Sequence, residues 1–203
     1  MPPPRIFLLS PAHCGGKRAE LLLNERAAFP LAVRLRSPPG ITLGEAFTFL
    51  SGLYFRGKLA YADRFARPPD GEPGVQIITT DRGLLPADVM ITARDLREFG
   101  GVDIQSDQPR FREPLARDVA RIRRHGDVEL VLLGSIATGK YVDVLAEMIG
   151  TRLLFPTEFV GRGDMSRGAL LLRAVREGLE LSYQSATGGI RRGVRAPRVS
   201  ADS

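Results

Sequence analysis

The chain predicts an α/β fold, a three-layer sandwich with a mostly parallel central sheet, as a single domain over residues 1–188 with a basic tail over residues 189–203. Two successive strand–loop–helix units between residues 127 and 176 are the main reason. Residues 128–133 (VELVLL) make an apolar run of the length of a strand covered on both faces. Gly134 and Ser135 break it, Tyr141, Val144, Leu145 and Met148 then recur at helical spacing, and Gly150 closes the helix. Residues 153–155 start the second unit, the loop Gly161-Arg162-Gly163-Asp164 follows, and Ser166 is placed to cap a helix carrying Leu170, Leu171, Ala174 and Val175. Strands that alternate with helices of this length form parallel sheets, whose loops collect at the strand carboxyl ends.

The remaining elements follow in order. Residues 5–10 (RIFLLS) predict the first strand, and the turn Pro11-Ala12-His13-Cys14-Gly15-Gly16-Lys17 opens onto a helix with Ala19, Leu22, Leu23 and Ala27 on one face. Residues 31–36 predict a short edge strand, ended by Ser37-Pro38-Pro39-Gly40. Thr42-Leu43-Gly44-Glu45 matches a capping box, in which Glu45 reaches back to the Thr42 backbone. The helix it starts pauses at Ser51-Gly52 and resumes through Phe55, Leu59 and Phe65, an aromatic stripe expected to be core. Residues 67–74 predict a loop, 75–79 a strand, 93–101 a helix, and Pro114 the start of a helix over 115–125.

Composition narrows the function classes. With 203 residues the chain is long enough to bury roughly 70% of the surface its unfolded form exposes. No apolar run approaches the roughly 20 residues that cross a bilayer, and the prolines of MPPPRIFLLS do not suit a signal peptide, so a cytoplasmic protein is expected. Cys14 is the only cysteine and the histidines are His13 and His125, which leaves no set for a Cys/His zinc site. No cofactor is named by any motif. The net charge of +6 is uneven, because Arg191, Arg192, Arg195 and Arg198 lie in the tail against Asp202; that tail reads as disordered and able to touch nucleic acid. Of 29 basic residues only Lys17, Lys58 and Lys140 are lysine, and each follows a glycine, which lets a compact charge approach a ligand closely.

Candidate site residues lie at the strand ends. Ser10 and the glycine-rich turn with Lys17 suit an anion, and Cys14 near a helix start and Lys17 is a candidate nucleophile with a lowered pKa, against the alternative of a small buried packing residue. Asp81 after the third strand is placed for general base or ribose-hydroxyl work and Arg82 for a phosphate, or the two brace a turn. Residues 134–140 fit the phosphate-loop spacing G-x-x-x-x-G-K, but Tyr141 stands where a Ser or Thr would hold magnesium, so Gly134, Ser135 and Lys140 suggest a looser phosphate cradle than that of a nucleoside triphosphatase. Arg162, Asp164 and Ser166 are ligand contacts or caps and braces, and Tyr54 is a base-stacking candidate or core.

Three segments carry a family resemblance: LLSPAHCGGK at residues 8–17, SGLYFRGKLAYADRF at 51–65 and TTDRGLLPADVMI at 79–91. LLSPA and the glycine-leucine segment before a Pro and Asp resemble the peroxide-stress resistance proteins. The cysteine–lysine turn, the LY-F-K helix and the strand followed by GLLP resemble small bacterial proteins related to part of archaeosine synthase. The chain departs from both at Asp81-Arg82 and in lacking a Pro-Tyr pair after Pro86. The resemblance implies an α/β fold and a link to nucleic acids or modified bases.

The expected function is that of a nucleotide- or nucleic-acid-directed protein, an enzyme acting on a nucleotide or modified base if Asp81, Cys14 or Asp164 does acid/base or nucleophilic work. The alternatives are a non-catalytic DNA- or RNA-binding protein using Arg117, Arg121, Arg123, Arg124 and the tail, or an interaction subunit with no ligand site.

Overall fold

In a computed structural model of the chain, the structure describes residues 2–102, 108–136, 139–189 and 193, with 139 and 140 described as backbone only. A six-stranded sheet runs in the order β4-β3-β1-β6-β7-β8. Its centre is four parallel strands, β3 (Val75–Ile78), β1 (Arg5–Leu9), β6 (Glu129–Leu133) and β7 (Leu153–Pro156). The edges are antiparallel, β4 (Leu84–Pro86) against β3 and β8 (Tyr183–Ser185) against β7. Every residue of β1 and β3 is buried, as expected for strands covered on both faces.

Helix α4 (Leu53–Phe65) crosses β1 and β3 on one face and packs against α8 (Asp164–Glu177). On the opposite face lie α6 (Pro109–Arg123) and α7 (Gly139–Ile149). Helices α1 (Lys17–Leu23), α2 (Pro30–Arg36) and α3 (Leu43–Ser51) form a group beside α4, and α5 (Ala93–Gly100) follows the small ribbon of β2 (Ile41–Thr42) and β5 (Met90–Ile91). This is the α/β, mostly parallel architecture read from the alternating pattern.

Local chemistry explains several boundaries. The Thr42 capping box forms completely: the Glu45 N–H donates to Thr42 Oγ1 at 3.2 Å and the Thr42 N–H to Glu45 Oε2 at 2.9 Å. Gly52, at φ 63°, separates α3 from α4 where the sequence pauses. The aromatic stripe is core, with Phe47, Phe55 and Tyr61 fully buried and Phe47 edge-on to Phe55 at 5.5 Å.

Two expectations are corrected. Residues 31–36 form helix α2, not an edge strand: Pro30 supplies its first turn and Ala32 and Leu35, three apart, are buried. Helix α6 begins at Pro109 rather than Pro114, which stands inside it and forgoes one backbone bond. The strands β2, β4, β5 and β8 go beyond the elements the sequence predicts. The tail over 189–203 lies, apart from Gly189 and Gly193, outside the described residues.

Candidate functional site

The centre of the carboxyl edge is Ser10, the residue that follows β1. Its N–H donates to the Leu133 carbonyl at 3.1 Å, which holds it beside the end of β6. A Cβ on Gly134 would stand 2.8 Å from Ser10 Cβ, so glycine is what lets the two strand ends close up. Ser10 in turn receives Lys58. From α4, Lys58 Nζ donates to the Ser10 carbonyl at 2.6 Å and to Ser10 Oγ at 3.1 Å, and it sits over the rings of Tyr54 and Phe55 at 4.7 and 4.6 Å. The side chain is 1% exposed. Burial draws its pKa down from 10.5 to about 7, against a small opposing pull from the Asp164 carboxylate.

A glycine pair brings α8, and with it a second buried cation, against the helix that carries this lysine. A Cβ on Gly57 would stand 2.7 Å from the Gly168 carbonyl oxygen, and one on Gly168 would stand 2.9 Å from Tyr54 Cα. The close α4–α8 crossing puts Arg167 beside Tyr54. Arg167 Nε and Nη2 donate to the Phe159 carbonyl at 3.3 and 3.2 Å, and Nη1 lies 3.5 Å from Asp164. The Tyr54 hydroxyl is buried beside these charges, and burial pushes its pKa up against the opposing pull of the Arg167 cation.

The loop that leaves Ser10 walls a cleft of about 270 Å³ together with the end of β3, the end of α5 and the first turn of α7. Its lining includes His13, Cys14, Thr80, Phe99 and Tyr141. His13 is exposed, Thr80 is anchored through its hydroxyl to the Phe99 carbonyl at 3.4 Å, and Phe99 is buried. Gly100 is needed here because a Cβ on it would stand 3.0 Å from the Cys14 carbonyl oxygen. The arrangement offers an imidazole that can move a proton, two aromatic walls and a hydroxyl, at the point where the chain passes from one side of β1 to the other.

The sequence-predicted residues divide. Ser10, Gly134 and Cys14 do gather at the end of β1. Cys14 is corrected as a low-pKa nucleophile: burial pushes the thiol up to about 12, its Sγ contacts the Ala12 carbonyl at 3.5 Å, and Lys17 is exposed. Tyr54 is corrected as a stacking platform, because it is buried with Lys58 on its ring and Phe159 edge-on at 6.5 Å. Asp81 turns inward, with Oδ2 taking a bond from Arg110 at 3.2 Å and Oδ1 buried without a partner. Arg82 is held by Asp95 at 2.8 Å and Glu98 at 2.5 Å, so its charge is already met. Asp95 is held at about 2: burial raises its carboxyl, but bonds from Thr92 and the Arg82 cation lower it further.

At the end of β7, Arg162 bonds the Glu158 carbonyl at 2.9 Å and Ser166 Oγ at 3.2 Å. Ser166 is not the cap; α8 begins at Asp164 after Gly163. Asp164 is exposed and Ser135 half-buried, while the Lys140 side chain lies outside the described residues. The arginine face of α6 is largely engaged: Arg112 pairs with Glu147, Arg117 with Asp118, Arg121 with Glu72, and Arg123 bonds the Met148 carbonyl.

Sequence reasoning missed His13, Thr80, Phe99 and Tyr141 as cleft residues and Lys58 as the buried one. A polar loop between a strand and a helix was the available signal for His13, and the Gly-Lys step inside an aromatic helix for Lys58. No family model matches the chain, and no curated protein or solved structure matches it significantly.

Proposed function

We propose that this protein binds a nucleoside or nucleotide in the cleft at the carboxyl ends of β1 and β3 and acts on it by proton transfer. The observation that carries the reading is the meeting of three loops around one hollow that sets the half-buried Tyr141 ring beside the polar groups of His13 and Thr80, with buried Phe99 behind them. A flat aromatic base suits the Tyr141 ring, and a few convergent polar groups fix its orientation. The position agrees with the general location of ligands in open parallel sheets, outside the strand carboxyl ends where the strand order reverses. His13 is the acid/base group of the lining, and Lys58 acts behind it by fixing the Ser10 peptide from which the loop departs.

Calorimetric titration with the four common ribonucleosides and their 5′-monophosphates tests the reading. Saturable binding by at least one, weakened tenfold or more by Tyr141→Ala, supports it. His13→Ala is expected to keep binding but lose turnover of the bound ligand. Absence of binding by the whole set overturns it.

A further inference from the structure

A second hollow lies away from the sheet ends, between α2, α3, α4 and the turn after β4. It measures about 550 Å³ and its walls are mainly apolar, from Leu31, Phe49, Leu59 and Ala87. Asp63 and Asp88 stand at its edge, and both also line an adjoining hollow of about 430 Å³ beside β3 and β4, so the two spaces share one rim. Gly44 lets the turn after β4 close against α3 at the inner end, because a Cβ there would stand 3.1 Å from the Ala87 carbonyl oxygen and 3.2 Å from Leu59 Cδ2.

The rim carries negative charge. The chain's carboxylates mostly meet arginines, and Glu45, the third acid in the lining, is held by Arg34 at 2.8 Å and by the Thr42 backbone at 2.9 Å. Among the described residues Asp63 and Asp88 have neither an ion pair nor a hydrogen bond. Two unmatched negative charges beside apolar walls, in a protein of net charge +6, complement a positive charge carried on an apolar body.

We infer that this groove is a binding site for a small organic cation, an amine or guanidine attached to an aryl or alkyl body, with Asp63 and Asp88 receiving the charge and Phe49 and Leu59 packing the body. A cation arriving from outside supplies the neutralising partner that neither carboxylate has within the protein. Both carboxylates are exposed and so reachable from solvent, and the partial burial of Asp63 pushes its carboxyl pKa up. The site is separate from the cleft at the sheet ends and does not depend on what that cleft binds.

The test is titration of the intact protein with tryptamine, phenethylamine and octylamine, each beside its neutral alcohol, and with spermidine as a cation lacking an apolar body. At least one amine is expected to bind tenfold or more tightly than both its alcohol and spermidine. Asp63→Asn and Asp88→Asn are each expected to lower that affinity about tenfold. Asp63→Asn is expected to leave the melting temperature unchanged or higher, which separates lost binding from lost folding. Binding of the alcohols equal to the amines, Asn variants that bind like the parent, or no binding by any amine overturns the inference. Binding of an arginine-rich peptide in place of every small amine overturns it as well.

Discussion

Lys58 reaches from the middle of α4 to both oxygens of Ser10, 2.6 Å from the carbonyl and 3.1 Å from the hydroxyl, with no carboxylate among the described residues in hydrogen-bond contact. The helix on one face of the sheet is thereby tied to the residue from which the cleft loop departs. A lysine with a pKa near 7 in this position is neutral or charged according to pH, and the fold's stability must follow.

The sign is fixed by the direction of the shift. Below about pH 7 the amine is protonated in both folded and unfolded chains, and the folded state bears the full cost of the buried charge. Between about 7 and 10.5 only the unfolded chain holds the proton, so stability gains as pH rises through that window. Urea denaturation of the parent and of Lys58→Met at pH 6, 8 and 10 isolates this group. The parent should gain on the variant across the range, by roughly 4 kcal/mol. A difference that stays flat contradicts a neutral buried lysine.

The α4–α8 crossing depends on two missing side chains. Gly168→Ala inserts a methyl against the backbone of Leu53 and Tyr54, and the cost of forcing the helices apart, about 1–3 kcal/mol, exceeds the gain in helix propensity of about 1 kcal/mol. Chemical denaturation should show a net loss. A neutral or stabilising result would mean that the helices are not in contact at this point.

Cys14 should be unreactive. With its thiol pushed up to about 12, alkylation by iodoacetamide at pH 8 should run at least tenfold slower in the folded protein than in urea. Equal rates, or faster reaction when folded, would restore it as a nucleophile.

Arg82 separates a brace from a ligand contact. Its bonds to Asp95 and Glu98 tie the turn after β3 to α5, so Arg82→Gln should lower the melting temperature by a few degrees and leave nucleoside affinity within twofold. A tenfold loss of affinity in a variant of unchanged stability would make it a phosphate ligand instead.

The legible parts of the sequence were those where local chemistry and tertiary burial agree. β1, β6 and β7 were readable because strands sealed on both faces need consecutive apolar residues, and α3 because Thr42 and Glu45 satisfy each other across one turn. Residues 31–36 misled because Leu31, Val33 and Leu35 alternate as in a strand while Ala32 and Leu35 also fit one helical face, and packing against neighbouring helices decided for the helix. β4 and β8 were missed because edge strands of three residues carry too little pattern.

The site was less legible than the fold. Residue type marked Arg82, Asp81 and Arg162 as ligand contacts, but their partners, Asp95, Arg110 and Ser166, are chosen by the tertiary fold. Lys58 escaped because lysine is seldom buried, and nothing local shows that α8 will pack its Gly168 against Leu53, Tyr54 and Gly57 of the same helix.

Hydrogen–deuterium exchange with and without a saturating nucleoside or nucleotide tests the central claim most directly. The account predicts slowed exchange at residues 10–16, 79–82 and 99–102, around the cleft that His13 and Tyr141 line. Protection confined to the arginine face of α6, or none at any of these segments under conditions where the ligand binds, would contradict it.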